Sequence, residues 1–220
     1  MGETIRFTTP AGGTVEGWLA RAPGSSRHIV VLQEWWGLNA QIRGVCERFA
    51  AAGFNALAPD LYAGRSTEAP DEAGHLMNGL DWVGATRQDV RGAVRYQKSA
   101  GGRCGVTGFC MGGALTVIAA VDVPEADAAV CWYGLPPAEQ ADPAAIRVPF
   151  QGHFANRDDW CTPAAADALQ AAIAGLSVPH EIHRYDAAHG FFNEQRAGVH
   201  DPRAAALAWD RTIAFLRTHL

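Results

Sequence analysis

The feature that most constrains the fold is a repeated alternation. Short β-branched apolar runs are each followed by a stretch with helical periodicity. Arg27-His28-Ile29-Val30-Val31-Leu32-Gln33 reads as a buried strand, and residues 39–52 as an amphipathic helix stopped by Gly53. A second buried strand spans 55–61. The segment from Ala63 to about Gly79, rich in Gly, Pro and charge, is expected to be a surface excursion, followed by a helix over roughly 86–99. The second half continues with strands at 104–109, 128–133, 148–153 and 180–185 and helices at 111–121, 163–175 and 202–216. The helix over 163–175 is expected to use Thr162 as N-cap with Pro163 at its first position. Residues 5–8 and 15–20 read as a hairpin at one sheet edge. Such alternation requires a mostly parallel sheet with helices on both faces. No repeat, low-complexity tract or linker interrupts it, so one α/β domain over residues 1–220 is expected.

Composition narrows the function. Apolar residues make up 48% of the 220 and charged residues 19%, enough apolar content for a sizeable core. Lys and Arg number 18 against 23 Asp and Glu, a net charge of −5, so nothing marks a nucleic-acid or anionic membrane surface. The start, Met1-Gly2-Glu3-Thr4-Ile5-Arg6, has neither the basic nor the apolar region of a secretory signal. No apolar run approaches the roughly 18–20 residues of a spanning helix. Five cysteines without a Cys-x-x-Cys pair argue against a disulfide framework or zinc ribbon and for a reducing cytoplasm. With no phosphate-binding loop, metal-ligand cluster or dinucleotide fingerprint, no cofactor or metal is expected.

Gly108-Phe109-Cys110-Met111-Gly112-Gly113 carries the chemistry. It fits G-x-S-x-G with cysteine at the nucleophile position, between an expected strand and an expected helix. The glycines leave room for a sharp turn that lifts the nucleophile above the sheet, and the following helix directs its N-terminus at Cys110. The competing reading is a structural cysteine beside a glycine-rich turn. A nucleophile of this kind needs a base and an orienting acid in the order nucleophile, acid, histidine. Of the eight histidines, His189 alone follows a late strand in that order. Two adjacent aspartates, Asp158 and Asp159, follow the strand before it.

These residues, with Gln33-Glu34-Trp35-Trp36-Gly37, Pro59-Asp60-Leu61-Tyr62, Trp132-Tyr133-Gly134 and His189-Gly190-Phe191, resemble the dienelactone hydrolase family over almost the whole chain. The resemblance implies an α/β-hydrolase fold. It also implies Cys110 as nucleophile, His189 as base, Asp159 as the orienting acid and Glu34 as a carboxylate that helps activate the thiol. The backbone N–H groups of Trp35 and Met111 would form the oxyanion hole, with Tyr133 at the pocket wall. In family spacing the acid lies four residues before a helix-opening proline, here Pro163, which selects Asp159. A carboxylate beside a thiol opposes a standing thiolate, so the nucleophile should be gated.

The family's dienelactone-cleaving members hold the substrate carboxylate with arginines. One lies four residues after the histidine, where this chain has Asn193; another lies in the excursion, where Ala73, Gly74 and His75 stand. His75 and Asn193 are therefore the candidate substrate-binding replacements, and Arg65, Arg87 and Arg196 are the nearby cations. Trp160 and Phe192 are expected to line the acyl site. The function expected is hydrolysis of a small ester or lactone through a cysteine thioester, by a monomer or homodimer. The alternative is a non-catalytic ligand-binding protein on a hydrolase scaffold. A dithiol redox role lacks a resolving cysteine near Cys110.

Overall fold

The computed structural model describes residues 2–220. Eight strands among them form one sheet in the order β1-β2-β4-β3-β5-β6-β7-β8. β1 (Glu3–Thr8) and β2 (Thr14–Ala20) make the edge hairpin, and β2 also pairs antiparallel with β4 (Asn55–Pro59). β3 (Arg27–Leu32), β5 (Arg103–Phe109), β6 (Ala128–Trp132), β7 (Phe150–Arg157) and β8 (His180–Ala188) run parallel with β4.

Strand residues alternate between two cores, as a two-residue period demands. Ile29 and Val31 face the layer that holds α1 (Ala40–Ala51) and the closing helix, while Val30 and Leu32 face the opposite layer. In chain order the later helices are α2 (Pro70–Asn78), α3 (Trp82–Ala85), α4 (Arg91–Lys98), α5 (Met111–Asp122), α6 (Pro163–Ile173) and α7 (Pro202–His219). α1 and α7 cover one face; α4 and α5 cover the other, and α6 packs a third cluster against β7. Thr162 caps α6 as expected, accepting from the Ala165 N–H, and Asn39, expected inside the first helix, caps it instead by accepting from the Ile42 N–H, each at 3.2 Å.

Two expectations are corrected. The excursion over 63–79 contains α2, whose Ala73 and Leu76 are buried. Pro70 at its start and Asp71 and Glu72 in its first turn are helix-initiating features that its Gly and charge content masked. The helix expected from Thr86 begins at Trp82, where the Asp81 side chain accepts from the Gly84 N–H at 2.9 Å, and passes through a π-helical turn at Thr86–Val90. Among the described residues no helix is long and apolar enough to cross a membrane.

Parallel pairing brings the carboxyl ends of β3, β5, β6, β7 and β8 to one edge. Cys110, Tyr133, Asp158 and His189 each immediately follow the last residue of a strand, and Glu34 follows β3 by two. Thus residues scattered over 155 positions of sequence converge because their strands are neighbours.

Candidate active site

Cys110 sits at φ 55°, ψ −117°, in the left-handed half of backbone space that L-residues avoid. Such a conformation costs about 1–3 kcal/mol. Packing around the turn holds it: the Cys110 N–H donates to Trp132 O at 3.0 Å, and its carbonyl accepts from the Ala114 N–H at 3.1 Å. Ten of the twelve residues of α5 are buried, which anchors the turn from its far side. Glycine is required at two positions. A Cβ on Gly108 would collide with the Gly112 carbonyl, and one on Gly112 with the carbonyls of Leu32 and Gln33.

The thiol is buried, and its pKa is raised well above the ordinary cysteine value. Burial is the largest cause and the negative charge of Glu34 the next; the backbone N–H groups of Met111 and Trp35, both directed at the sulfur, oppose them. The resting sulfur is therefore a neutral thiol, and two amides already point at the place where negative charge would gather.

His189 Nδ1 lies 2.7 Å from Asp158 Oδ2. The other oxygen of Asp158 accepts from the N–H groups of Trp160 (2.9 Å) and Cys161 (2.8 Å), which aims the carboxylate inward. Asp159, the acid expected from family spacing, is exposed and does not reach His189 by any hydrogen bond in the structure. β7 continues to Arg157, so the first residue after it turns toward the site and its neighbour turns to solvent. The carboxylate as acceptor makes Nδ1 the protonated nitrogen and leaves Nε2 with the lone pair.

Glu34 is buried among neutral donors. Tyr133 Oη donates to Oε1 at 3.2 Å, and Asn193 Nδ2 donates to Oε2 at 2.6 Å. Burial raises its pKa; the Asn193 hydrogen bond, the His189 charge, the Tyr133 hydroxyl and the Arg196 charge all pull the other way. Tyr133 itself stands at φ 37°, with its N–H donating to His153 O at 2.8 Å.

A cavity of about 390 Å³ opens over these groups. Glu34, Cys110, His189 and Asn193 line its floor together with Gly190, and Trp35, Trp36, Met77, Trp160 and Val199 give it a largely apolar wall. Trp160 is 47% exposed and meets the His189 ring edge-on at 5.2 Å. Arg196 is the one cation on the lining, its guanidinium 4.4 Å over the Trp36 ring.

Several candidate residues lie elsewhere. Phe192 is core, stacked on Phe109 at 5.0 Å and against Trp132 at 4.6 Å, and does not line the cavity. Tyr133 is fully buried behind Glu34 rather than at the wall. Asn193 lines the cavity, yet its amide is committed to Glu34. His75 is exposed on α2 and borders a separate depression with Arg65 and Glu72, since the helix turns Leu76 inward and leaves Met77 to reach the cavity. Arg87 pairs with Asp122 at 2.9 Å. Met77 and Val199 were not foreseen as lining residues, because helical phase and loop packing decide them. No group of three or more His, Cys, Asp or Glu side chains among the described residues is arranged to hold a metal ion.

This sheet order, with a nucleophile-type turn between β5 and α5, defines an α/β-hydrolase. Residues 15–220 match the model of the dienelactone hydrolase family, and the chain belongs to that family. It is 34% identical to the protein usf of Aquifex pyrophilus and 31% identical to a candidate carboxymethylenebutenolidase of Aquifex aeolicus, in both cases over the full length of each chain. Among solved structures it resembles a candidate dienelactone hydrolase from Klebsiella pneumoniae, with 25% identity, a TM-score of 0.83 and coverage of 98% of this chain and 99% of that one.

Proposed function

We propose that the chain hydrolyses lactones or small carboxylic esters through a thioester on Cys110. One observation carries this reading: the Cys110 sulfur, on a strained turn with two amides directed at it, shares a cavity with His189, whose imidazole is oriented by the buried Asp158.

In this mechanism Sγ bonds to the substrate carbonyl carbon as its proton passes to Glu34. The carbonyl oxygen takes the displaced electron pair and is held by the N–H groups of Trp35 and Met111. Collapse breaks the bond to the leaving oxygen, which receives the proton from Glu34, and Cys110 remains acylated. His189 Nε2 then takes a proton from water; the resulting hydroxide attacks the thioester, and the departing sulfur recovers that proton. Asp158 keeps the imidazole in the required tautomer. The apolar wall suits an apolar or aromatic acyl group, and Arg196 offers one positive charge to an anionic substituent.

Mass spectrometry of protein quenched during turnover of aryl esters and lactones tests the reading. An acyl adduct on Cys110 is expected, with turnover lost in Cys110→Ala. Turnover that survives Cys110→Ala, with no adduct on wild type, would overturn it.

A further inference from the structure

Asn193 contributes no obvious chemistry, yet all its polar groups are used. Its Nδ2 donates to Glu34 Oε2 at 2.6 Å, and its Oδ1 accepts from the Gln195 N–H at 3.0 Å. Its own N–H donates to Gly190 O at 2.9 Å, and its carbonyl accepts from the Arg196 N–H at 3.1 Å. The Gln195 N–H fixes which end of the amide faces the carboxylate. A flipped amide would set oxygen against oxygen at Glu34 and NH₂ against N–H at Gln195. The loop that presents His189 therefore also presents a single, directed donor to Glu34 four residues later.

The donor is also neutral. Around Glu34 stand the Tyr133 hydroxyl, the Cys110 thiol, His189 and Arg196, and no cation lies within ion-pair distance of its carboxylate among the described residues. A guanidinium or ammonium in the place of Asn193 would neutralise the carboxylate and lower its proton affinity; an amide orients it and leaves it basic.

We propose that Asn193 is the positioning residue for Glu34, holding its carboxylate in a fixed direction beside the Cys110 thiol without neutralising it. This rests on Glu34 receiving the thiol proton as described above. It makes thiol activation depend on the loop of His189, so the two bases of the reaction are set by one segment of chain.

The test is a double-mutant cycle of Asn193→Ala and Glu34→Gln with 4-nitrophenyl acetate, with Asn193→Ser as a second, smaller perturbation. For Asn193→Ala, kcat is expected to fall about 10–100-fold, the range for groups that orient a reacting group, with KM little changed. In the Glu34→Gln background the same change should cost nothing further. The acidic limb of the kcat/KM profile should move to higher pH in Asn193→Ala, because a hydrogen bond favouring the ionised carboxylate is gone. A rise in KM alone would make Asn193 a substrate contact, and multiplicative losses in the cycle or an unmoved acidic limb would make it only structural; each result overturns the proposal. Iodoacetamide alkylation of Cys110, followed by mass spectrometry against pH, separates this from failure of the hydrolase reading, since it needs no turnover. Asn193→Ala should shift that profile to lower pH, and only when Glu34 is present.

Discussion

Asp158 and His189 are joined through one carboxylate oxygen and one imidazole nitrogen, 2.7 Å apart, while the second oxygen of Asp158 is bound by the two amides that follow it. The Asp158 carboxylate is thus held by its own loop as well as by the histidine. That arrangement separates it from its neighbour in sequence and makes the distinction measurable.

Asp158→Asn should reduce kcat by about a hundredfold or more, because an amide cannot hold the imidazole in the same tautomer with the same strength. Asp159→Asn should leave turnover near wild type. Steady-state kinetics on an aryl ester decides between them, and the reverse ranking would return the role to Asp159.

Glu34→Gln should trade activity for stability. Burial raises the Glu34 pKa above its ordinary value of 4.5, so above that pH the folded chain holds a proton that the unfolded chain has released. Stability from this group is present at lower pH and is lost as pH rises through the folded pKa. Removal of the charge should therefore raise Tm relative to wild type at pH 8 and change it little at pH 4, while turnover falls. Thermal melts across that range would disprove the account if the Tm difference were independent of pH.

Gly112→Ala and Gly44→Ala should act in opposite directions. A methyl at 112 meets the carbonyls of Leu32 and Gln33 and should cost about 1–3 kcal/mol with loss of turnover. A methyl on Gly44, within α1, meets nothing within 4 Å and should stabilise by roughly 0.5–1 kcal/mol with activity intact. Denaturant midpoints supply the comparison.

Arg196→Ala should weaken turnover of esters bearing a carboxylate more than that of neutral esters of equal size. The guanidinium is exposed and stacked on Trp36, so the difference should be modest, roughly two- to fivefold in kcat/KM, and should shrink with added salt. Equal losses on both ester types would show that Arg196 supports Trp36 and does not read charge.

What sequence made legible was local. The β-branched runs announced the parallel strands, and Gly108, Cys110 and Gly112 announced the turn, because each depends on neighbours in sequence. Asp158 was obscured by its neighbour, since the end of β7 decides which carboxylate turns inward. Phe192 read as a pocket residue because nothing near it in sequence reveals the Phe109 and Trp132 rings that cover it. His75 failed for the same reason that α2 did: the helical phase that turns Leu76 inward and leaves Met77 facing the cavity was hidden by glycine and charge.

The bond from Asn193 to Glu34 spans 159 positions. While the chain is being synthesised, the elbow and the glutamate are complete long before their last donor emerges. Until β8 docks and its following loop closes, Glu34 is a carboxylate with no amide to meet it. Assembly of the final strand is therefore also the moment at which His189 and Asn193 reach the elbow, and a partly folded chain carries cysteine and glutamate without the groups that surround them in the native site.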